Sequence, residues 1–402
     1  MLAAVALGIY LYERHRTGSV YHPNAPFTAE STPTALPKRP PDRFYWPNYG
    51  YTKDHSRFFP APESLRPPFR QLWERNAYEL LEFPPVIYAG RLFQLGDHAV
   101  LAATNKHTGK LIWKRKLGRL SASSPAVTSN TVYVTVLDSG HGAPGRIFAI
   151  NSSNGRTRWS RALPSRAESS PLVDRGRVFF GSENGTVYAL DDSNGSVVWT
   201  YHAEGAVKAS PTLSKGVLYF GDYSGHLQAV AERNGHLLWR SGSGGTLLGS
   251  GTFYSTAAVF YGRVYLGNTD GRIYAYDAST GHLDWAVQTG SYVYASPAVT
   301  NAPGLGPTIY LGSYNGTFYA LNARSGHISW HFDAGGRISG SATIIGRVVY
   351  FADLADHRTY GLGISTGRKL FQMETGAFDP VVSDGKNIYL TGYTGLFGLT
   401  PR

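Results

Sequence analysis

The sequence has no cysteine, which excludes disulfides, thiolate nucleophiles, iron–sulfur clusters and cysteine-ligated zinc. That absence alone does not fix a compartment. Long hydrophobic runs are scarce. Residues 2–12, LAAVALGIYLY, are uncharged, but at about 1.5 Å per residue an 11-residue helix reaches roughly 16 Å, half of a bilayer core. A basic leader and a small-residue cleavage site are also missing, which argues against a cleaved signal. Residues 1–16 are therefore expected to be the tail of a membrane anchor. Arg14 and Arg16 come directly after the run, and the positive-inside tendency alone would keep the downstream chain cytoplasmic, but the opposite flank offers no count to compare. Acidic residues (27) are fewer than basic ones (38), giving a net charge of +11. Such a charge favours anionic partners, including envelope polymers and headgroups, and also serves simple solubility. The basic residues are dispersed rather than gathered in one run, so nucleic acid is not expected as a partner.

An eleven-residue frame recurs along the chain. It reads ATNKHTGKLIW (103–113), AINSSNGRTRW (149–159), ALDDSNGSVVW (189–199), AVAERNGHLLW (229–239), AYDASTGHLDW (275–285) and ALNARSGHISW (320–330). A worn copy, GLGISTGRKLF, spans 361–371. Each copy ends a strand, turns on a polar residue followed by glycine, and closes on a large ring: Trp113, Trp159, Trp199, Trp239, Trp285, Trp330 or Phe371. Glycine suits the turn because hairpins of this kind need positive φ. Runs such as RVFFG and TVYAL between the frames carry the β-branched and aromatic residues of strands. The repeats contain no helical spacing with caps. A period in the forties with four short strands per unit predicts propeller blades.

Residues 17–43 are rich in Pro, Ser, Thr and Ala and read as a tether. The aromatic stretch 44–60 is not repetitive and is expected to pack across the outside of the ring. Trp73 lies one period before Trp113 without a preceding turn, so residues 67–76 supply only the last strand of a blade. Residues 378–401 supply three strands and lack the fourth. Pairing the two ends closes the ring and removes its open edges. The expected fold is all-β: an eight-bladed β-propeller over 44–401, of four-stranded antiparallel blades, with blades at about 84–117, 123–163, 169–203, 210–242, 253–289, 295–334, 340–375, and 378–401 joined to 67–76. Seven blades is the alternative.

The frame A-x-D-x-x-T-G-x-x-x-W, preceded by a strand ending in YxG and an Asn/Asp-Gly turn, resembles the PQQ-like β-propeller repeat. WPNYG at 46–50 resembles the short aromatic lead-in of such chains. The resemblance covers roughly 44–401 and is specific for fold. For function it is open, because this ring hosts both quinoprotein alcohol dehydrogenases and a propeller lipoprotein that helps assemble outer-membrane proteins. The dehydrogenases would imply a vicinal-cysteine disulfide beside the cofactor, a calcium held by Glu and Asn, and an Asp base. The disulfide is impossible here. The acidic residues Asp191, Asp192, Asp270 and Asp277 fall in repeating turns, where a structural role dominates. GSGGTLLG (242–249) has no following helix to make a phosphate cradle, and the histidines are scattered.

In a propeller the loops entering each innermost strand surround the channel mouth. The residues expected there are Glu82, Glu168, Lys208, Tyr254 and Tyr294, with Arg166, Tyr292, Arg337, Phe378 and Asp379 close by. Aromatics with mixed charge suit a peptide or glycan. The alternative is a channel merely plugged by satisfied polar groups. Insertions at 139–145, 243–253 and 301–307 break the period and mark further candidates. The expected protein is a membrane-tethered, extracytoplasmic, monomeric binding scaffold without cofactor, metal or catalysis. A PQQ-dependent dehydrogenase and a glycan-binding module are the alternatives.

Overall fold

The computed structural model describes residues 18–28, 46–140, 144–244, 251–379 and 381–402. The anchor expected at 1–16 and most of the tether lie outside them. Among the described residues no helix is long and apolar enough to cross a membrane. Eight antiparallel sheets succeed one another around the ring. In each, the first three strands are largely buried, and in all but blade 5 the fourth is mainly exposed or half-buried. Blade 3 is typical: Leu172–Asp174, Arg177–Gly181, Thr186–Asp191 and Val197–His202.

The recurring tryptophan has a specific seat. Each indole N–H donates to a turn carbonyl of the next blade: Trp73 to Lys106 O (3.0 Å), Trp113 to Ser152 O (3.2 Å), Trp159 to Asp192 O (2.9 Å) and Trp199 to Glu232 O (3.0 Å). Trp239, Trp285 and Trp330 continue the series onto Ala278 O, Ala323 O and Ile364 O. The indole lies flat on the turn glycine of that next blade, so a Cβ at Gly235 would stand 2.6 Å from the Trp199 ring. The same glycine has φ of +70°. Two independent demands, a left-handed backbone and zero clearance, thus fix one residue type. Gly235→Ala is expected to lower stability by about 2 kcal/mol or more from backbone strain and the displaced ring, measured by denaturant titration. Phe371 has no N–H to donate and meets Phe69 edge-on at 5.6 Å, at the seam with a blade that lacks this turn.

The ring closes as the sequence predicts. Phe69–Asn76 pairs antiparallel with Gly395–Pro401, from Phe69 opposite Pro401 to Asn76 opposite Gly395, with a bulge at Gln71/Trp73. The C-terminal strands complete the sheet inward through Ile388–Thr391 to Val381–Ser383.

Two N-terminal segments depart from expectation. The aromatic stretch does not pack outside the ring; residues 46–59 thread the channel. The innermost strand of each blade turns a free edge toward the axis, and its backbone groups require partners once buried. The threaded segment supplies them. Val127, Leu213, Val259, Val299 and Ile344 donate their N–H groups to the carbonyls of Pro47, Lys53, Asp54, Ser56 and Arg57, at 2.7–2.9 Å. Trp46 pairs with Ile87 of blade 1, and Phe58–Phe59 adds a parallel strand to Thr343–Ile345 of blade 7. The plug thereby reaches most of the ring, and it bends through left-handed Tyr51, His55 and Arg57 to do so. The tether reading fails for residues 18–28. Val20–Tyr21 is a fifth strand on Leu283–Gln288, the outer strand of blade 5. Buried Arg263 holds this strap, donating to Ala25 O and Pro26 O and pairing with Asp284 at 2.6 Å. The outer strand of blade 5, LDWAVQ, is accordingly largely buried, with its one charge, Asp284, held by Arg263, where blade 1 has the exposed LIWKRK.

Candidate functional site

With the plug in place, the channel opens on the face carrying the loops between blades and the second-to-third-strand turns. There a cavity of about 270 Å³ is lined by Glu82, Glu168, Lys208, Tyr254, Tyr294, Phe378 and Asp379, together with Phe83, Tyr314 and a set of hydroxyls. Tyr49 of the plug also lines it. Seven of the ten residues singled out in the sequence thus line one cavity. The other three stand on its rim. Arg166 pairs with Glu183 at 3.4 Å, Tyr292 meets Tyr294 edge-on at 5.8 Å, and the Arg337 guanidinium lies 5.7 Å from the Tyr314 ring centre.

A belt of hydroxyls holds the wall. Ser124 N donates to Ser170 Oγ (2.9 Å), Ser210 N to Thr256 Oγ1 (3.1 Å), Thr256 N to Ser296 Oγ (3.0 Å) and Ser296 N to Ser341 Oγ (3.1 Å). The belt ends where Ser341 N donates to the Asp379 carboxylate. Each link joins one blade to the next, and each hydroxyl residue directly precedes the Pro or Ala that starts an inner strand. The period makes this position visible in the sequence, two residues after Glu168, Lys208, Tyr254 and Tyr294.

Charge and aromaticity are segregated around the wall. Lys208 bridges Glu168 at 2.8 Å and Glu183 at 3.0 Å. Burial works against the Lys208 charge, but these two carboxylates outweigh it and raise its pKa. Tyr254 donates to Glu168 at 2.6 Å. From Tyr254 a tyrosine array runs around the mouth: Tyr223 (6.3 Å between ring centres) and Tyr294 (5.7 Å) flank it, and Tyr314 lies beyond Tyr294 at 4.9 Å. Burial pushes the Tyr223 hydroxyl up to about 12. Tyr223 and Tyr314 occupy the same repeat position as Glu183 and Thr269, two residues before the turn glycine. A position that varies within an otherwise regular turn was the signal that could have found them. Tyr49 had no such signal, because the plug repeats nothing.

At the floor, Tyr49 donates to Asp379 at 2.9 Å and contacts Ser341 Oγ at 2.8 Å, while the guanidinium of buried Arg57 lies 3.9 Å from the Tyr49 ring centre. Burial raises the Asp379 carboxyl, and the Arg57 charge draws it back down. Glu82 differs. Burial, then the like charges of Glu168, Asp379 and Asp97, push it up to about 7. Folding therefore holds a proton on Glu82 that the unfolded chain gives up at lower pH, so its contribution to stability is present in acid and lost as pH rises past 7. Glu82→Gln is expected to gain about 1–3 kcal/mol at pH 8 and nothing at pH 4, by denaturant titration at both.

Of two of the inserted loops, the described ends, 139–140 with 144–145 and 243–244 with 251–253, belong to this face; 141–143 and 245–250 lie outside the described residues. The third does not join the site. Residues 301–307 lengthen the blade 6 hairpin, with Ala302 opposite Gly306, at the far end of the channel. Among the described residues, Glu79, Asp97 and His98 can converge on a metal ion by the blade 8–blade 1 seam, where Glu79 and His98 line a second cavity with Arg75 and Tyr78.

The quinone cofactor implied by the dehydrogenase side of the resemblance is a planar tricarboxylate. The described lining offers it Glu82, Glu168 and Asp379, and a single cation, Lys208, already shared between two carboxylates. An anion of that charge is repelled here, and the residues present do not fit the group.

Eight four-stranded blades with indole-on-glycine seams define a PQQ-like β-propeller. A family model described as outer membrane protein assembly factor BamB matches residues 70–142, 97–241, 145–293 and 223–389, and the chain belongs to that family. BamB of Yersinia pestis is 26% identical over 132 residues, 29% of this chain and 32% of its own length. Quinohemoprotein alcohol dehydrogenase ADH-IIG of Pseudomonas putida is 28% identical over 159 residues, 34% of this chain and 21% of its own. The chain thus spans a third or less of these curated relatives, which include both assembly factors and a dehydrogenase. Among solved structures, BamB from Moraxella catarrhalis superposes with a TM-score of 0.67 at 17% identity, covering 83% of this chain and 100% of that one. The Pseudomonas putida dehydrogenase superposes at 0.75 with 15% identity, covering 90% and 80%. At such identities the likeness is one of fold.

Proposed function

We propose that this protein is a non-catalytic binding scaffold of the cell envelope, whose channel mouth docks a segment of a partner protein. The observation that carries the reading is a channel blocked from the far face by the chain's own residues 46–59 and left open at a mouth walled by tyrosines. A blocked channel passes nothing through, and a tyrosine-lined cavity offers rigid apolar faces with hydroxyl hydrogen bonds, the equipment of recognition. Membership of the assembly-factor family supports a protein as partner and the envelope as the place. The apolar run 2–12 would tether the ring to a membrane with the propeller outside the cytoplasm. The ring, closed on itself, has no need of a second copy.

The test is co-purification from native membranes of the unaltered chain and of a Tyr254→Phe/Tyr294→Ala variant. The same partner should be retained by the first and depleted by the second; equal recovery sinks the docking reading. A dehydrogenase is favoured only by the relatives. Adding the quinone with calcium should give neither stoichiometric quinone absorbance nor dye reduction, and turnover would overturn the scaffold. Glycan pull-down with the same variant tests an envelope polymer as the ligand.

A further inference from the structure

We infer that the channel mouth selects an alkylammonium group, the side chain of a lysine in the docked segment, which seats against Glu82 with its methylene stem on the tyrosine array. The inference rests on the docking reading and names the chemistry that the site would prefer.

The carboxylates in and beside the cavity differ in what faces them. Glu168 has Lys208 at 2.8 Å and the Tyr254 hydroxyl at 2.6 Å. Glu183 has Lys208 at 3.0 Å and Arg166 at 3.4 Å. Asp379 has Tyr49, the Ser341 N–H and the nearby Arg57 charge. Glu82 alone among the carboxyls lining the cavity has neither a hydrogen-bond donor nor a cation among the described residues; the charges that act on it are carboxylates. A half-buried acid facing like charges is a place where an incoming cation gains.

The walls suit the rest of such a ligand. The faces and edges of Tyr254, Tyr294 and Tyr314 run continuously along one side of the cavity. Aromatic faces attract an ammonium and cover the apolar stem behind it. The protein already makes this contact with its own cations: the Lys208 ammonium lies 5.3 Å from the Tyr223 ring centre, and Arg337 lies over Tyr314. These two flank the mouth, and the position beside Glu82 is left for a ligand.

The test titrates the whole chain, at pH 8, with three probes: an acetyl-Gly-Lys-Gly-amide peptide, the same peptide acetylated on the lysine Nζ, and n-butylammonium. Binding is read from calorimetry and tyrosine ring shifts. The lysine peptide should bind at least about tenfold more tightly than its acetylated form, a discrimination of the size expected for one charged contact in a partly buried site. It should lose that advantage in Glu82→Gln, and weaken as pH falls from 8 to 5 and Glu82 gains its proton. Thermal melts of Glu82→Gln show that it is folded. Tighter binding of the peptide than of n-butylammonium assigns the group to a partner chain, and equal binding assigns it to a free amine; either supports ammonium selection. Equal binding of the lysine and acetyl-lysine peptides overturns it. If Tyr294→Ala then weakens both peptides alike, the mouth still docks a segment and only the cation preference falls. If no probe binds, or if Tyr294→Ala changes nothing, the docking reading falls as well.

Discussion

Replacing Arg57 with methionine is expected to cost about 2–4 kcal/mol of stability at pH 8, because it takes away the cation that acts on a buried carboxylate. Arg57 is buried in the plug, and its charge is the chief influence lowering the Asp379 carboxyl that burial raises. Without it Asp379 is left in a low-dielectric floor with no cation beside it, held by the Tyr49 and Ser341 hydroxyls and a backbone N–H. Its pKa rises further, so the cost is carried above that raised value and falls away as pH drops and the carboxyl takes up a proton. The double variant Arg57→Met/Asp379→Asn removes both charges and should recover most of the loss, because replacing a buried pair is far cheaper than breaking it. Denaturant titrations of the four species at pH 8 and pH 5 measure both expectations. A single variant as stable at pH 8 as at pH 5 contradicts the pairing.

The closing seam carries the other large effect. Trp73→Ala should cost about 3–5 kcal/mol, in the range for emptying a core aromatic site. The ring of Trp73 covers Gly109 of blade 1, packs 6.0 Å from Tyr389, and its N–H reaches Lys106 O. Trp73→Phe, keeping a ring and losing the N–H, should cost much less. The alanine variant differs in kind from the same change at Trp239, inside the ring, where both neighbouring blades are continuous in the chain. At Trp73 the seam joins residues 69–76 to 395–401, so it can open locally without unfolding a blade in the middle. Amide exchange should quicken at both of those segments together in Trp73→Ala and stay slow there in Trp239→Ala.

How much of this was legible in the sequence depends on which parts of it repeat. The frame at 189–199 fixed the blade count, the seams and the closure, because each unit must satisfy its neighbour and the missing strand at one end is present at the other. The mouth residues Glu82, Glu168 and Lys208 could be placed from their position within the unit. The reason for the glycine was only half visible. Positive φ could be inferred from the turn, but the indole resting on Gly235 belongs to the preceding blade and shows only in three dimensions. The plug and the strap were misplaced for a common reason. Residues 46–59 and 18–28 are used once each, so no period constrains them, and their partners are backbone edges that no side-chain pattern announces. A hint existed in blade 5, where the residue after the tryptophan is Ala286, while every other outer strand places a polar or charged residue after its ring; the alanine marks a covered edge. The plug left only its density of aromatics, which is equally compatible with a surface groove.

Which face of the ring receives the partner decides the role given to the channel mouth. A photo-crosslinking residue placed at Tyr292, half-exposed on the rim of the mouth, can be compared in native membranes with one at Leu238, exposed on the outer strand of blade 4. A discrete adduct from position 292, competed away by the lysine peptide and missing at 238, is the result expected. Adducts at 238 with none at 292 would place the docking surface on the outer rim and contradict that role.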